Sequence, residues 1–375
     1  MRITEVDVFQ VQWGALEEGS GLNPGGRSAF VRVATDAGVS GIGEASPMLG
    51  GLAALGVIKH DMASELIGRD PFDQAVLYDT LFHKLVKLGP EGVATGALAA
   101  VDIALWDIKG KALGLPIYKL LGGAWRTRMP FYASVGRNAN RTVDEVVRTV
   151  EARLKAERPA AVKMRLDGDR TVLDRDVPGD IAKARAVRKL VGEGFPLGFD
   201  ANNGYSVGGA MRVGRALEEL GFVWFEEPVQ HYHVRAMGEV AQRLDITVSA
   251  GEQSYTVQAL ADLIAAGVRM VQPDIVKMGG ITGMMQCAAL CYAHGVELVP
   301  HQTQPTIGHM ANLHVLATLM HATKPAELAD GWPRMADAFR NAPKPVEGHF
   351  TLSEAPGLGL EVAEDVLAKR RVAVW

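Results

Sequence analysis

Cysteine is nearly absent. Cys287 and Cys291 are the only two in 375 residues, so no disulfide framework is available. They lie four apart in a segment of helical character, where a buried packing role is expected. A reducing cytoplasm suits such a chain. Long apolar runs are also missing: no stretch approaches the roughly 18 residues needed to cross a bilayer, and no membrane partner is expected. The opening MRITEVDVFQVQW alternates like a strand and lacks the apolar centre of a signal peptide. Neither sign of charge dominates. With 39 basic and 43 acidic residues well mixed, the net charge is -4, and no basic block offers a nucleic-acid surface.

What is present is a large apolar fraction, 48%, enough for two domains or one barrel with additions. Residues 1–125 read as strands followed by helices. ITEVDVFQVQW and SAFVRVATDAGVSGIGEAS are strand-like, with a turn at Asp36 to Gly38, and GALAAVDIALWDIKGKAL is a long helix closed by Gly114 and Pro116. From about 126 to 330 eight short apolar runs recur, separated by helix-like sequence: MPFYASV, AAVKMR, PLGFDA, FVWFEE, ITVSAGE, RMVQPD, VELVPH and PAELA. That repeat implies a parallel α/β barrel. The last part, 331–375, is rich in Pro and Gly, ends in the strand-like RVAVW, and is expected to return to the first domain.

The ends of these runs carry the chemistry. In such a barrel the C-terminal ends of the strands form the active-site face, and neighbouring strands supply neighbouring groups. The second run ends at Lys163 and Arg165, which alternation places on one face. The third, fourth and fifth end at Asp200, Glu226 and Glu252, in equal 26-residue steps. Glu227 beside Glu226 points the other way. Three carboxylates converging on one point need a cation, and all-oxygen ligation suits Mg²⁺. The sixth, seventh and eighth runs end at Asp274, His301 and Glu327. An Asp beside a His can fix the imidazole tautomer and leave the other nitrogen free as a base.

GFDANNGY, WFEEP, SAGEQ, QPDIVKMGGITG and LVPH together resemble the enolase superfamily, in its mandelate racemase-like subgroup. VDIALWDIKGKALGLPIYKLLGG is similar to that group's capping-domain helix. The resemblance spans nearly the whole chain. It implies a modified (β/α)₇β TIM-like barrel under an α+β capping domain built from the N-terminal segment and the C-terminal tail. It implies Mg²⁺ on Asp200, Glu226 and Glu252, an Asp274–His301 dyad whose imidazole is the base, and Glu327 against the enolate oxygen. Asn202 matches a substrate contact near the metal, and Lys163 the first lysine of a Lys-x-Lys motif. A Lys or His base acting with a divalent metal on an enediolate is a property of that superfamily.

One position departs from the pattern. The second motif lysine is Arg165, and guanidinium stays protonated at working pH. A single good base, His301, favours loss of a β-hydroxyl over racemisation, which needs an acid or base on each face. Lys163 and Arg165 then serve as fixed positive charges and substrate contacts. The expected substrate is a small-molecule sugar acid, an aldonate or aldarate, dehydrated to a 2-keto-3-deoxy acid. The alternatives are a racemase, epimerase or cycloisomerase on the same site, or a non-catalytic metal and sugar-acid binder. Segments 17–27 and 45–51 are expected to act as lids, with Arg27, His231 and His233 as candidate distal contacts. The family is commonly oligomeric, so a homo-oligomer is expected.

Overall fold

The computed structural model describes residues 1–14, 19–20, 23–24, 26–302, 307–328, 337–342 and 344–372. Strands β1 (Ile3–Gln12), β2 (Arg27–Thr35) and β3 (Ser40–Ala45) form an antiparallel sheet. Helices α1 (Gln74–Leu85) and α2 (Val93–Leu113) follow. α2 is buried almost all round, as a helix apolar on every face must be. It lies so close to β3 that a Cβ on Gly41 or Gly43 would sit 2.1 or 1.8 Å from the Ala104 or Ala100 carbonyl oxygen. Only glycine permits that approach.

The barrel strands are β4 (Arg128–Val135), β5 (Ala161–Arg165), β6 (Leu197–Asp200), β7 (Trp224–Glu226), β8 (Thr247–Ala250), β9 (Met270–Val271), β10 (Glu297–Leu298) and β11 (Ala326–Leu328). Between them run α3 (Val143–Glu157), α4 (Val177–Val191), α5 (Val207–Glu219), α6 (Val234–Arg243), α7 (Val257–Ala266), α8 (Gly280–His294) and α9 (Ile307–Thr318). All neighbours are parallel, in the order β11-β4-β5-β6-β7-β8-β9-β10. This is the expected (β/α)₇β architecture. Among the described residues no ladder joins β10 to β11, and the sixth and seventh strands are shorter than their apolar runs. There a lone parallel bridge, Asp274 to His301, carries the pairing onward.

Inside the barrel Tyr132, Ala161, Trp224, Met270 and Val299 pack together as a floor. Trp224 fits because Gly198 faces it; a Cβ there would meet the indole at 2.0 Å. The cap is locked on from outside. Asp102 of α2, fully buried, accepts from Thr282 N at 2.9 Å and Thr282 Oγ1 at 2.6 Å at the start of α8. From the tail, β12 (His349–Thr351) pairs antiparallel with β4. After α10 (Glu364–Arg370), β13 (Arg371–Val372) pairs with β1 at Gln10 and Val11.

Candidate active site

The carboxylates of Asp200, Glu226 and Glu252 each offer an oxygen within 4.8 Å of the others, and all three side chains are buried. Asp200 and Glu226 end β6 and β7, while Glu252 lies two residues past the end of β8. Lys163 rises from the floor beneath them. Its Nζ lies 2.9 and 3.0 Å from the two Glu226 oxygens, 3.6 Å from Asp200 and 2.9 Å from Glu327, and 5.7 Å from the Tyr132 ring centre. Glu226 also accepts from Gln272 Nε2 at 2.8 Å. Across the mouth, His301 Nδ1 meets Asp274 Oδ2 at 2.8 Å and its Nε2 meets Glu252 Oε2 at 3.0 Å. One imidazole nitrogen is thus held by the dyad partner and the other faces the carboxylates.

Seven of the residues expected at the strand ends therefore form one connected cluster: Lys163, Asp200, Glu226, Glu252, Asp274, His301 and Glu327. Asn202 adjoins it but is committed to the protein. Its amide donates to Asp200 Oδ2 at 3.1 Å and its Oδ1 accepts from Asp167 N at 2.7 Å. Arg165 is turned toward Asp167, with Nε 2.8 Å from Oδ1, and toward Ser134 Oγ at 3.2 Å. Glu227 is buried behind the triad and accepts from Asn203 Nδ2, whose Oδ1 in turn accepts from His231 N at 2.6 Å. His233 is exposed and outside the cluster. Of segment 17–27, residues 17–18, 21–22 and 25 lie outside the described residues, while Gly19–Ser20 pairs antiparallel with Asn23–Pro24. Segment 45–51 is pinned to the cap: Gln10 Nε2 donates to Gly50 O at 2.5 Å.

Residues that the sequence did not single out also matter. Gln272 sits two before Asp274, so alternation alone puts it on the same face. Lys277, 3% exposed, donates to the Glu252 carbonyl at 2.9 Å. Glu44, a lone acid in the apolar GIGEAS strand, is buried and accepts from Gly308 N at 3.1 Å at the start of α9.

Electrostatics follows from burial and pairing. Burial raises Asp200 and Glu226 above the ordinary carboxylate range, with Lys163 opposing. It pushes Glu44 and Glu227 up to about 8. For Glu252, burial is outweighed by His301 and Lys277, which hold it low; for Glu327 it is outweighed by Lys163 and His301. Glu327 is therefore an acceptor here, and donating to a substrate oxygen would require it to take up a proton. Burial pulls His301 down, but Glu252 and Asp274 raise it to about 9.

These shifts share a sign between neutral and alkaline pH. The metal-free folded protein holds protons on His301, Glu44 and Glu227 that the unfolded chain releases at lower pH, so stability falls as pH rises. The His301 contribution is complete below about 6.5 and gone above about 9. Thermal unfolding of chelator-treated protein should therefore show a lower Tm at pH 9 than at pH 6.5. A flat or rising Tm over that window would contradict the arrangement.

The residues fit a metal. The donor set is all oxygen, one carboxylate from each of three adjacent strand ends, at mutual distances that one small hard cation can span. Asp200, Glu226 and Glu252 would hold Mg²⁺. Two family models account for most of the chain: "Mandelate racemase / muconate lactonizing enzyme, N-terminal domain" over residues 6–122 and "Enolase C-terminal domain-like" over 145–366. The chain belongs to the mandelate racemase/muconate lactonizing enzyme family. Among solved members of that family, a mandelate racemase/muconate lactonizing protein from Paracoccus denitrificans complexed with magnesium is 67% identical. It superposes with a TM-score of 0.95 over 99% of this chain and 98% of its own. An arabinonate dehydratase from Saccharolobus solfataricus is 32% identical over 77% of this chain and 76% of that protein. A D-galactarolactone cycloisomerase from Agrobacterium fabrum is 31% identical over 92% and 91%. Family membership thus brings the barrel, the cap and the metal site together, and it makes the chain an enzyme. No helix among the described residues is long and apolar enough to cross a membrane.

Proposed function

We propose that this chain is a Mg²⁺-dependent acid-sugar dehydratase, acting on an aldonate or aldarate. The observation that carries the reading is the one-sided base. His301 faces the triad with Asp274 behind it, while the cations opposite are engaged, Lys163 with Glu226 and Glu327 and Arg165 with Asp167. The similarity to an arabinonate dehydratase supports the same reaction class.

Bound Mg²⁺ supplies Lewis-acid stabilisation of the second negative charge that forms when a proton leaves the carbon beside a carboxylate. His301 Nε2, once it has given up the proton it shares with Glu252 in the metal-free protein, takes that proton, and Asp274 holds the ring so that Nδ1 keeps its own. Lys163 adds a fixed positive charge beside the developing enediolate. The β-carbon–oxygen bond then breaks, the departing hydroxide collects the proton from His301 and leaves as water, and the enol tautomerises to the 2-keto-3-deoxy acid. Arg165, a planar donor fork held by Asp167, balances charge or reaches substrate hydroxyls and does not exchange protons.

The test is a library of aldonates and aldarates incubated with the enzyme and Mg²⁺, with products read by mass and by 2-keto acid chemistry. A product lighter than its substrate by one water is expected, with all turnover lost on chelation and restored by Mg²⁺. The cycloisomerase relative makes isomerisation the competing outcome. A product of unchanged mass would replace dehydration with isomerisation.

A further inference from the structure

The three metal-binding carboxylates are not anchored alike. The backbone carbonyl of Asp200 accepts from Leu166 N at 3.0 Å, and that of Glu226 from Ala201 N at 3.0 Å. Both are ordinary parallel-sheet bonds from the neighbouring strand. The ladder at β8 stops earlier: Gln272 N reaches Ala250 O at 2.9 Å. Gly251 then adopts φ 127°, and Glu252 follows it outside the strand. That φ suits glycine and strains other residues, and it turns the Gly251 carbonyl out of the ladder to accept from Ser254 N at 3.0 Å. Yet Glu252 is the ligand that also touches the base, through His301 Nε2 at 3.0 Å.

The missing sheet bond is supplied by a side chain. Lys277 Nζ donates to the Glu252 carbonyl at 2.9 Å from a fully enclosed position. Lys277 belongs to a tight turn built on Asp274: Val276 N donates to Asp274 Oδ1 at 3.0 Å, and Lys277 N and Met278 N donate to Asp274 O at 2.9 and 2.8 Å. A closed circuit results. It runs from the Glu252 carbonyl through Lys277 to the Asp274 turn, then through the Asp274 carboxylate to His301, and back to the Glu252 carboxylate.

We propose that Lys277 is a positioning residue, which replaces a strand hydrogen bond at Glu252 and so fixes the metal site relative to the Asp274–His301 dyad. This rests on the metal assignment of the proposed function but not on any substrate. Groups in such an orienting layer typically change metal affinity 10–100-fold when removed.

The experiment measures Mg²⁺ binding to metal-free protein by calorimetry, alongside Tm, for Lys277→Met, Lys277→Arg and a control, Lys183→Met. Lys183 is also a buried lysine, 3.3 Å from Asp180 on the outer helix α4, away from the triad. Lys277→Met should weaken Mg²⁺ binding tenfold or more, and Lys277→Arg, which keeps a donor, should recover most of it. Lys183→Met should lower Tm with Mg²⁺ affinity unchanged. Mg²⁺ affinity within twofold of wild type in Lys277→Met, or a loss that tracks Tm equally in both methionine variants, would overturn the proposal. If Lys277→Met does not fold, Lys277→Arg decides: wild-type affinity upholds the tether, and a tenfold loss overturns it. None of these readouts uses a sugar acid, so failure of the dehydratase reading would leave them interpretable.

Discussion

Replacing His301 with asparagine should remove turnover and α-proton exchange together, by a factor of about 10²–10⁴ in rate. Asparagine can still donate to Asp274, so the mouth of the barrel keeps much of its hydrogen bonding. What it cannot do is take a proton. Among the described residues no neighbour is placed to substitute. Lys163 is enclosed by Glu226, Glu327 and Asp200, which with Tyr132 overcome its burial and keep it protonated. Arg165 is a guanidinium bound to Asp167. Incubation with Mg²⁺ and substrate in D₂O, read by NMR at the α-carbon, checks this directly. Persistent exchange in His301→Asn would move the base elsewhere, and Lys163 would be the first group to test.

The second large effect concerns stability. Lys163→Met should destabilise the metal-free protein by about 3–5 kcal/mol, because it strands carboxylates whose burial the ammonium compensates. Asp200, Glu226 and Glu327 all lie within 3.6 Å of Nζ and none has appreciable solvent access. Methionine keeps the stem as far as Cε, so the loss is mainly that of the ammonium's charge and hydrogen bonds. Mg²⁺ supplies a compensating charge for Asp200 and Glu226, so saturating Mg²⁺ should narrow the gap to wild type. Scanning calorimetry with and without Mg²⁺ would measure both quantities. An unchanged Tm in the metal-free variant would mean that those acids are already protonated and do not depend on Lys163.

The barrel and the triad are legible in the sequence because both are periodic. Eight apolar runs fix the strands, and equal spacing puts one acid at each of three successive strand ends. The Asp274–His301 pair is legible for the same reason, since neighbouring runs end at matching depth. The embrace of Lys163 by Glu327 is not, because those residues are 164 apart and meet only where β11 returns to β4. From its strand position Arg165 is expected to face the substrate, yet its nearest acid, Asp167, is two positions along, past the end of β5, where a φ of 52° turns the chain back on the guanidinium. Lys277 sits unremarked inside QPDIVKMGGITG. A lysine just after a strand usually reads as solvated, and only the early end of the β8 ladder gives it work. Glu44 is hidden by its strand, since nothing local announces that GIGEAS meets the start of α9.

The pairing of β13 with β1 has a consequence for biosynthesis. Gln10 and Val11 leave the ribosome roughly 360 residues before Val372 and Arg371 arrive beside them. At ordinary elongation rates of about 5–20 residues per second, that is a wait of roughly 20–70 s. Throughout it the outer edge of β1 stands open, a template for any other nascent strand. Among the described residues the closing strand is two residues long, and Arg371 adds a bond to Asp7 at 2.8 and 3.0 Å. Chains released before that arginine is added keep the edge open for good, and on polysomes the unfinished chains wait side by side with theirs exposed.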